Sequence, residues 1–233
     1  MSEKISNKSK QSKKSGADWA RQQEELIKKG VKYCFASYVD AHGIPKGKTV
    51  PVHHFERMMR GSELFTGAAL DGLGQGPNDD ELAIHPDASA VTQLPWRPEI
   101  AWCPGNLKYH DDPWHMCSRT LLSQQVERAA KMGYGLNLGI ECELYVVDNS
   151  DGIIKPHNPN DTMSKAAYDF TLTLEAMEYL DEVVSYMNEL GWDVYSFDHE
   201  DANGQYEFDF AYADVLTMAD RFVLWRLLTK EIA

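Results

Sequence analysis

The feature that most constrains this chain is a run of ten residues, 136–145, in which apolar and polar side chains alternate. A period of two is typical of a β-strand with one buried face. Glu141 and Glu143 fall on the polar side, so the pattern predicts that both carboxylates leave the same face of a sheet. The apolar side contains Leu136, Leu138, Ile140, Cys142 and Leu144.

A second acidic strand is predicted at residues 205–210. Glu207 and Asp209 alternate there with aromatic residues, and Glu200 with its neighbour His199 lies just upstream. If the two acidic strands share a sheet, three or more carboxylates converge, and their repulsion favours a hard cation such as Mg²⁺ or Mn²⁺. Two adjacent ions could orient and neutralise phosphates during a transfer reaction.

Two plainer interpretations of these residues stay open. The carboxylates can be the solvent-facing sides of two half-buried strands, in which acidic and apolar residues commonly alternate. His199, taken singly, is more typical of a hydrogen-bonded loop histidine than of a metal ligand. The spacing alone does not decide between these interpretations and a metal site.

The first half of the sequence predicts a small α+β domain. Residues 1–16 are mostly Ser, Lys, Asn and Gly, a composition that predicts a disordered basic tail. A short helix follows from Ala17 and ends near Gly30, where glycine can terminate it. Two segments rich in β-forming residues, 31–39 and 48–52, flank a turn and predict a hairpin.

Two further segments of the first half look irregular. Residues 67–81 hold four glycines and four acidic residues, which predicts an exposed, mobile loop without a phosphate-binding pattern. Residues 95–113 contain four prolines and predict the crossing between two domains. Ser118 is then predicted to cap a helix that stops at Gly133.

The second half continues with alternating helices and strands. Its pattern predicts a helix from about Thr173 to just before Gly191, a strand pair at 192–197 and 205–211, and a final helix over 212–233. The final helix reaches the last residue without a stop signal. We therefore expect the chain to be cut at the end of a helix, within a domain.

Composition argues against several classes of protein. There are 36 acidic and 23 basic residues, a formal net charge of −13, so no nucleic acid and no anionic membrane is expected as a partner. The four cysteines lie far apart without a C-x-x-C pair, which predicts a reduced, cytoplasmic chain. No apolar run reaches the length of a membrane span, and no signal-peptide pattern precedes the first helix.

Separated motifs resemble those of the glutamine synthetase family, and they occur in the family's order. The segment Gly139-Ile-Glu-Cys-Glu-Leu-Tyr145 is similar to the family's G-x-E-x-E-F strand. The segment Glu200-Asp-Ala-Asn-Gly-Gln-Tyr-Glu-Phe-Asp-Phe210 is similar to its E-x-x-x-G-Q-x-E segment. Pro86-Asp-Ala-Ser89 and Tyr212-Ala-Asp214 are further matches, and the resemblance covers about residues 17–233.

The resemblance implies a fold and an assembly. The fold is a small β-grasp-like N-terminal domain over residues 17–113, followed over 114–233 by the first part of an α/β catalytic domain. Family members form rings whose active sites lie between subunits, which implies a homo-oligomer. A complete member is about twice this length, so the chain resembles the first half of the enzyme and is expected to be inactive alone.

The resemblance also implies the residues of the site. Glu143, Glu200 and Glu207 correspond to ligands of the metal next to the glutamate substrate. Glu141 corresponds to a ligand of the second metal, which carries the ATP phosphates. Two Mg²⁺ or Mn²⁺ ions are therefore expected, and the implied reaction is ATP-dependent ligation of glutamate with ammonia to give glutamine, through γ-glutamyl phosphate.

One loop departs from the family pattern. Many members have Phe-Asp-Gly-Ser-Ser there, on a loop that reaches the neighbouring subunit's site and helps bind and deprotonate ammonium. This chain has Thr66 in place of the family's carboxylate, and Ala68 and Ala69 in place of its hydroxyls. Asp71 is the nearest candidate for the catalytic role, although a solvated loop acid is the plainer interpretation.

Two alternatives to a glutamine synthetase stay open. The altered loop is compatible with a γ-glutamylmethylamide synthetase or another γ-glutamyl-amine ligase, which would use a small amine in place of ammonia. The second alternative is a non-catalytic glutamine synthetase-like protein. The intact carboxylate set of the glutamate-side metal argues against that second alternative.

Overall fold

The computed structural model describes residues 16–233, and the first half of this range forms a seven-stranded sheet with two helices. Of the predicted tail, only Gly16 lies within the described residues, and it begins the first helix. The predicted first helix and the first two strands are confirmed. The elements are α1 (Gly16–Lys28), β1 (Tyr33–Val39), β2 (Pro45–Pro51), α2 (Phe55–Met59), β3 (Glu63–Phe65), β4 (Leu82–Pro86), β5 (Thr92–Leu94), β6 (Arg97–Tyr109) and β7 (Asp112–Pro113).

The sheet of the first half is built around β6. Its strand order is β2-β1-β6-β4-β3, with β5 and β7 paired to β6, and only the β1–β6 pair is parallel. The prediction that residues 95–113 form a crossing between domains is therefore wrong. Pro104 is the last residue of β6 that pairs with β1, and Gly105 is the first that pairs with β4. The proline is tolerated because it lies where the strand changes partner.

The second half places its strands in three small sheets. β12, β13 and β9 form an antiparallel sheet in that order, whereas β8 pairs with β14, and β10 with β11. The predicted pair at 192–197 and 205–211 is confirmed as β12 and β13. The elements are α3 (Ser118–Lys131), β8 (Asn137–Leu138), β9 (Cys142–Tyr145), β10 (Val147–Asp148), β11 (Lys155–Pro156), α4 (Phe170–Glu175), α5 (Met177–Glu189), β12 (Val194–His199), β13 (Gln205–Phe210), β14 (Ala213–Asp214) and α6 (Val215–Ile232).

The alternating segment 136–145 is not one strand. It is divided into β8 and β9, which belong to different sheets. Cys142 is buried as predicted, but Leu136 and Leu138 are 43% and 41% exposed, so their predicted inward direction is wrong. The alternation continues through the break, but β8 pairs with the short β14 and not with the sheet that covers the core.

Helices α5 and α6 cover the apolar face of the β12-β13-β9 sheet, and both helices were predicted. Asp214 caps α6, because its Oδ1 accepts a hydrogen bond of 3.1 Å from the amide of Thr217. The prediction that Ser118 caps α3 is wrong: its hydroxyl donates to the carbonyl of Val39 at 3.1 Å. The buried core under the two helices includes Cys142, Leu180, Val183, Met187, Phe208, Phe210, Met218 and Leu228.

The two halves of the chain share apolar and ionic contacts. Trp102 of β6 is buried within the core of the second half, and Leu94 of β5 joins it. The guanidinium of Arg119, at the start of α3, donates to Asp220 of α6 at 2.9 and 3.1 Å and to Asp87 at 3.0 Å. The Arg119 side chain is only 10% exposed. Burial raises the pKa of Asp87, but hydrogen bonds from Ser89 and then the ion pair with Arg119 hold this pKa below its usual range.

No helix in the described range 16–233 is long and apolar enough to span a membrane. All four cysteines are free thiols, and each is buried. The β-grasp-like description of the first half and the domain boundary at 113/114 stay predictions.

Replacing Arg119 by Met tests the ionic junction. The substitution keeps an extended side chain but leaves two mostly buried carboxylates facing each other, so the free energy of unfolding should fall by about 3 kcal/mol. Urea denaturation followed by circular dichroism measures the change. Arg97→Met is the matched control, because Arg97 also binds a carboxylate of α6, that of Glu231 at 2.9 Å, but in an exposed pair.

The control should leave the denaturation midpoint almost unchanged, since exposed ion pairs contribute little. Equal midpoints for Arg119→Met and the wild-type chain would contradict a stabilising role of the junction.

Candidate metal and substrate site

The register of β13 brings carboxylates from three strands into one row. Glu207 of β13 lies directly opposite Glu143 of β9 on one side and opposite Asp198 of β12 on the other. Directly opposed residues of an antiparallel pair leave the same face of the sheet. The aromatic residues of β13 occupy the other face and are buried: Tyr206, Phe208 and Phe210. The two acidic strands share a sheet, which was the condition for their carboxylates to converge.

Glu200 joins this row from the end of β12. The pKa of Glu207 is raised to about 7, first by burial, then by a hydrogen bond with the Glu200 carboxyl group and by the charges of Asp209, Glu200 and Glu143. Glu200 and Glu207, two of the predicted metal ligands, are therefore neighbours. Gln205 donates a hydrogen bond from its amide to Glu143. The carboxylates of the row are therefore closer to one another than the solvent-facing side of a strand would require.

Asp198 is a member of the row that the sequence pattern did not single out. Burial and the neighbouring charges of Glu200 and Asp209 raise its pKa. One of its oxygens, Oδ1, is enclosed and has no hydrogen-bond partner among the described residues. The available signal was its position two residues before Glu200, but only the pairing of β12 with β13 places it beside Glu207.

These carboxylates fit a hard cation in their chemistry, because Mg²⁺ and Mn²⁺ prefer oxygen ligands and a cation offsets the repulsion that raises the pKa of Glu207. Within residues 16–233, however, no three His, Cys, Asp or Glu side chains are already gathered around one ion position. Glu143, Glu200 and Glu207 are neighbours in the structure. Glu141 precedes β9, is exposed, and makes no hydrogen bond or ion pair with the row among residues 16–233.

His199 is buried beneath the row and is hydrogen-bonded on both sides of its ring. Its Nδ1 lies 2.8 Å from the carbonyl oxygen of Glu200, and its Nε2 lies 2.9 Å from Oδ2 of Asp161. This geometry agrees with the hydrogen-bonded interpretation of His199 and leaves neither nitrogen free for a metal. Asp161, in a loop far away in the sequence, was not anticipated, since no local pattern links it to β12.

The loop that carries Asp71 belongs to the sheet of the first half. Its residues Gly67–Ala69 form one turn of 3₁₀ helix, and Leu73 is buried, so the loop is anchored at its centre. The Asp71 side chain is 85% exposed, and its Oδ2 lies 3.3 Å from Nε2 of His42. Within the described residues, no contact joins Asp71 to the carboxylate row, so its predicted catalytic role stays a prediction.

Comparisons with known proteins add to this geometry. A family model for the glutamine synthetase catalytic domain matches residues 115–233. The glutamate–methylamine ligase of Methyloversatilis universalis is 34% identical over 212 residues, which cover 91% of this chain and 48% of that protein. The glutamine synthetase of Rhizobium meliloti is 37% identical over 205 residues, which cover 88% and 46%. The solved complex of GmaS with ADP aligns with a TM-score of 0.85 at 32% identity, over 90% of this chain and 48% of that one.

The chain spans about half the length of the curated relatives it matches. The family model covers more than half of the chain, and its matched range contains both acidic strands of the site. The resemblance of the sequence motifs to this family is thereby confirmed. The chain belongs to the glutamine synthetase family.

Proposed function

We propose that a protein carrying this chain at the full length of its relatives ligates glutamate to ammonia or a small amine at the expense of ATP. The observation that carries the proposal is the row of opposed carboxylates formed by Glu143, Glu207 and Glu200. Family membership and the names of the relatives, glutamine synthetase and glutamate–methylamine ligase, support the same class of reaction. The ADP complex of GmaS supports ATP as the second substrate.

The proposed chemistry accounts for the excess of carboxylates. In this reaction the γ-carboxylate of glutamate attacks the γ-phosphate of ATP and expels ADP. The amine then displaces phosphate from the resulting acyl phosphate and loses a proton to a base. Bound Mg²⁺ or Mn²⁺ would offset the charge of anionic groups that must meet. Glu143, Glu200 and Glu207 would hold the ion next to glutamate, and Glu141 would belong to a second ion beside the ATP phosphates.

The amine acceptor defines two candidate functions, synthesis of glutamine or of a γ-glutamyl amide such as the methylamide. Ala68 and Ala69 make the amine loop less polar than one that carries hydroxyls, which favours an amine with a methyl group. The relation to a glutamate–methylamine ligase points in the same direction. A non-catalytic relative is disfavoured, because it would have no use for carboxylates packed against their mutual repulsion.

We further propose that the protein works as a cytoplasmic homo-oligomer with active sites between subunits. Large apolar side chains exposed on the second half support association. They include Met132, Tyr134, Leu136, Leu138, Tyr168, Phe170 and Tyr212. Asp71, on the exposed loop of the first half, would then serve the site of a neighbouring subunit.

The metal site can be tested on the 233-residue chain. Glu207→Gln removes one anionic oxygen ligand at nearly constant size and should weaken Mn²⁺ binding at least roughly ten-fold, since even indirect partners of metal ligands are worth that much. Isothermal titration calorimetry with Mn²⁺ measures the affinity. Glu182→Gln, on the exposed face of α5, is the control and should bind as the wild-type chain does. Equal affinities for Glu207→Gln and wild type would refute the assignment.

The role of Asp71 requires the full-length protein. Asp71→Asn removes the charge and the base, so amine-dependent synthesis should fall by roughly 10²-fold, the usual contribution of a positioned general base, while acyl phosphate formation continues. Asp80→Asn is a close control: Asp80 lies in the same loop, is also exposed, and also contacts a histidine, His110, at 3.2 Å. If both variants retain wild-type rates, Asp71 is only a loop residue.

The choice of amine can be tested in the same protein by restoring the hydroxyls. The double variant Ala68→Ser, Ala69→Ser should lower the ratio of kcat/KM for methylamine over that for ammonia, because hydroxyls near the amine favour the more polar substrate. Both values are measured at one pH and corrected for the fraction of free amine. An unchanged ratio would show that these two positions do not select the amine.

A further inference from the structure

A buried carboxylate holds the turn between β12 and β13 from below. Asp161 lies in the loop 157–169, which connects β11 to α4, and its side chain is buried. Its Oδ1 accepts a hydrogen bond of 2.7 Å from the Asn203 side chain, and its Oδ2 accepts one of 2.5 Å from the amide of Gly204. His199 completes the set, with Nε2 at 2.9 Å from Oδ2. One carboxylate therefore contacts both ends of the turn.

The His199 ring links Asp161 to the backbone of Glu200. A carbonyl oxygen can only accept, so Nδ1 of His199 donates to the Glu200 carbonyl at 2.8 Å. On the other side of the ring, Nε2 lies 2.9 Å from Oδ2 of Asp161. The backbone of Glu200 is thus tied to Asp161 through the histidine ring.

The opposite side of the turn is fixed by the backbone. Gly204 adopts a φ of 75°, and a Cβ atom there would lie 2.8 Å from the carbonyl oxygen of Val146. The Gly204 carbonyl accepts from the amide of Val146 at 2.8 Å, and Glu200 donates its amide to the carbonyl of Gln205 at 2.9 Å. The turn therefore has little room to shift between the end of β9 and the loop 157–169.

Like-charge repulsion makes such a restraint necessary. The Glu200 carboxyl is held against that of Glu207, in a row that also contains Asp198 and Glu143. A side chain at the end of a free hairpin would relieve that repulsion by swinging into water. A fixed backbone places the side chain beside the row, where its Oε2 also accepts a hydrogen bond of 3.0 Å from the amide of Asp201.

We propose that Asp161 is a positioning residue for Glu200, acting through His199 and the 200–204 turn to hold the Glu200 carboxylate at the metal-binding row. The proposal rests on the proposed function for the metal, but the restraint on the turn does not. Among the described residues, Asp161 makes no hydrogen bond or ion pair with a carboxylate of the row, so it acts on the position of Glu200 and not on the metal directly.

The test compares Asp161→Asn with a variant that destabilises the same core elsewhere. Asp161→Asn keeps the size but cannot accept all three donors. It should weaken Mn²⁺ binding roughly ten-fold, as loss of a residue that orients a metal ligand usually does. It should also speed hydrogen exchange at the amides of Glu200 and Gly204. Leu180→Ala opens a cavity in the buried core under α5 and lowers the thermal midpoint, but should change neither quantity.

Mn²⁺ affinity is followed by electron paramagnetic resonance and exchange by mass spectrometry, well below the midpoints of both variants. Unchanged exchange at the turn in Asp161→Asn overturns the proposal, whatever the Mn²⁺ result. Faster exchange with unchanged Mn²⁺ affinity also overturns it, as does an equal loss of affinity in Leu180→Ala. If the wild-type chain binds no Mn²⁺, the assignment of the row as a metal site in this chain fails, and exchange at the turn alone decides whether Asp161 fixes Glu200.

Discussion

The site depends on the opposition between the two faces of β13. One face carries three buried aromatic rings, and the other carries carboxylates that repel their neighbours across the sheet. A shift of one residue in the pairing would put the acids into the core and the rings into water, which ties the register to the burial of Tyr206, Phe208 and Phe210. Burial of the aromatic residues thus provides the free energy that holds Glu207 between Glu143 and Asp198.

The sequence predicted the features that depend on residues close together in the chain, and it missed those that depend on strand pairing. The alternation that identifies β13 and the end of β9 lies within a few residues. It therefore predicted both Glu143 and Glu207 and the face of the strand that each occupies. The central strand β6 was missed because its prolines, Pro98 and Pro104, look like breaks until its change of partner is known. The period of two also predicted the wrong burial for Leu138, since alternation does not say which sheet a strand joins.

The contacts that complete the site are all non-local. Asp198 becomes a member of the row only through strand pairing, and Asp161 reaches the site from a loop 38 residues before His199. Asp198 lies two residues before Glu200, but this spacing does not show which strand it faces, and Asp161 has no spacing that a reader of the sequence could use. The resemblance of motifs identified Glu200 as a ligand, yet it could not reveal what holds that side chain against its neighbours.

The burial of Trp102 in the core of the second half has a consequence for how the molecule comes apart. This side chain extends from the central strand β6 of the first half into the core of the second half. Neither half can therefore unfold without exposing apolar surface of the other. Local opening should therefore be confined to the ends of strands and to exposed parts of loops, while the two halves unfold as one cooperative unit. Exposed loop positions such as Asp71 can thus vary in sequence without loosening the scaffold that carries the carboxylates.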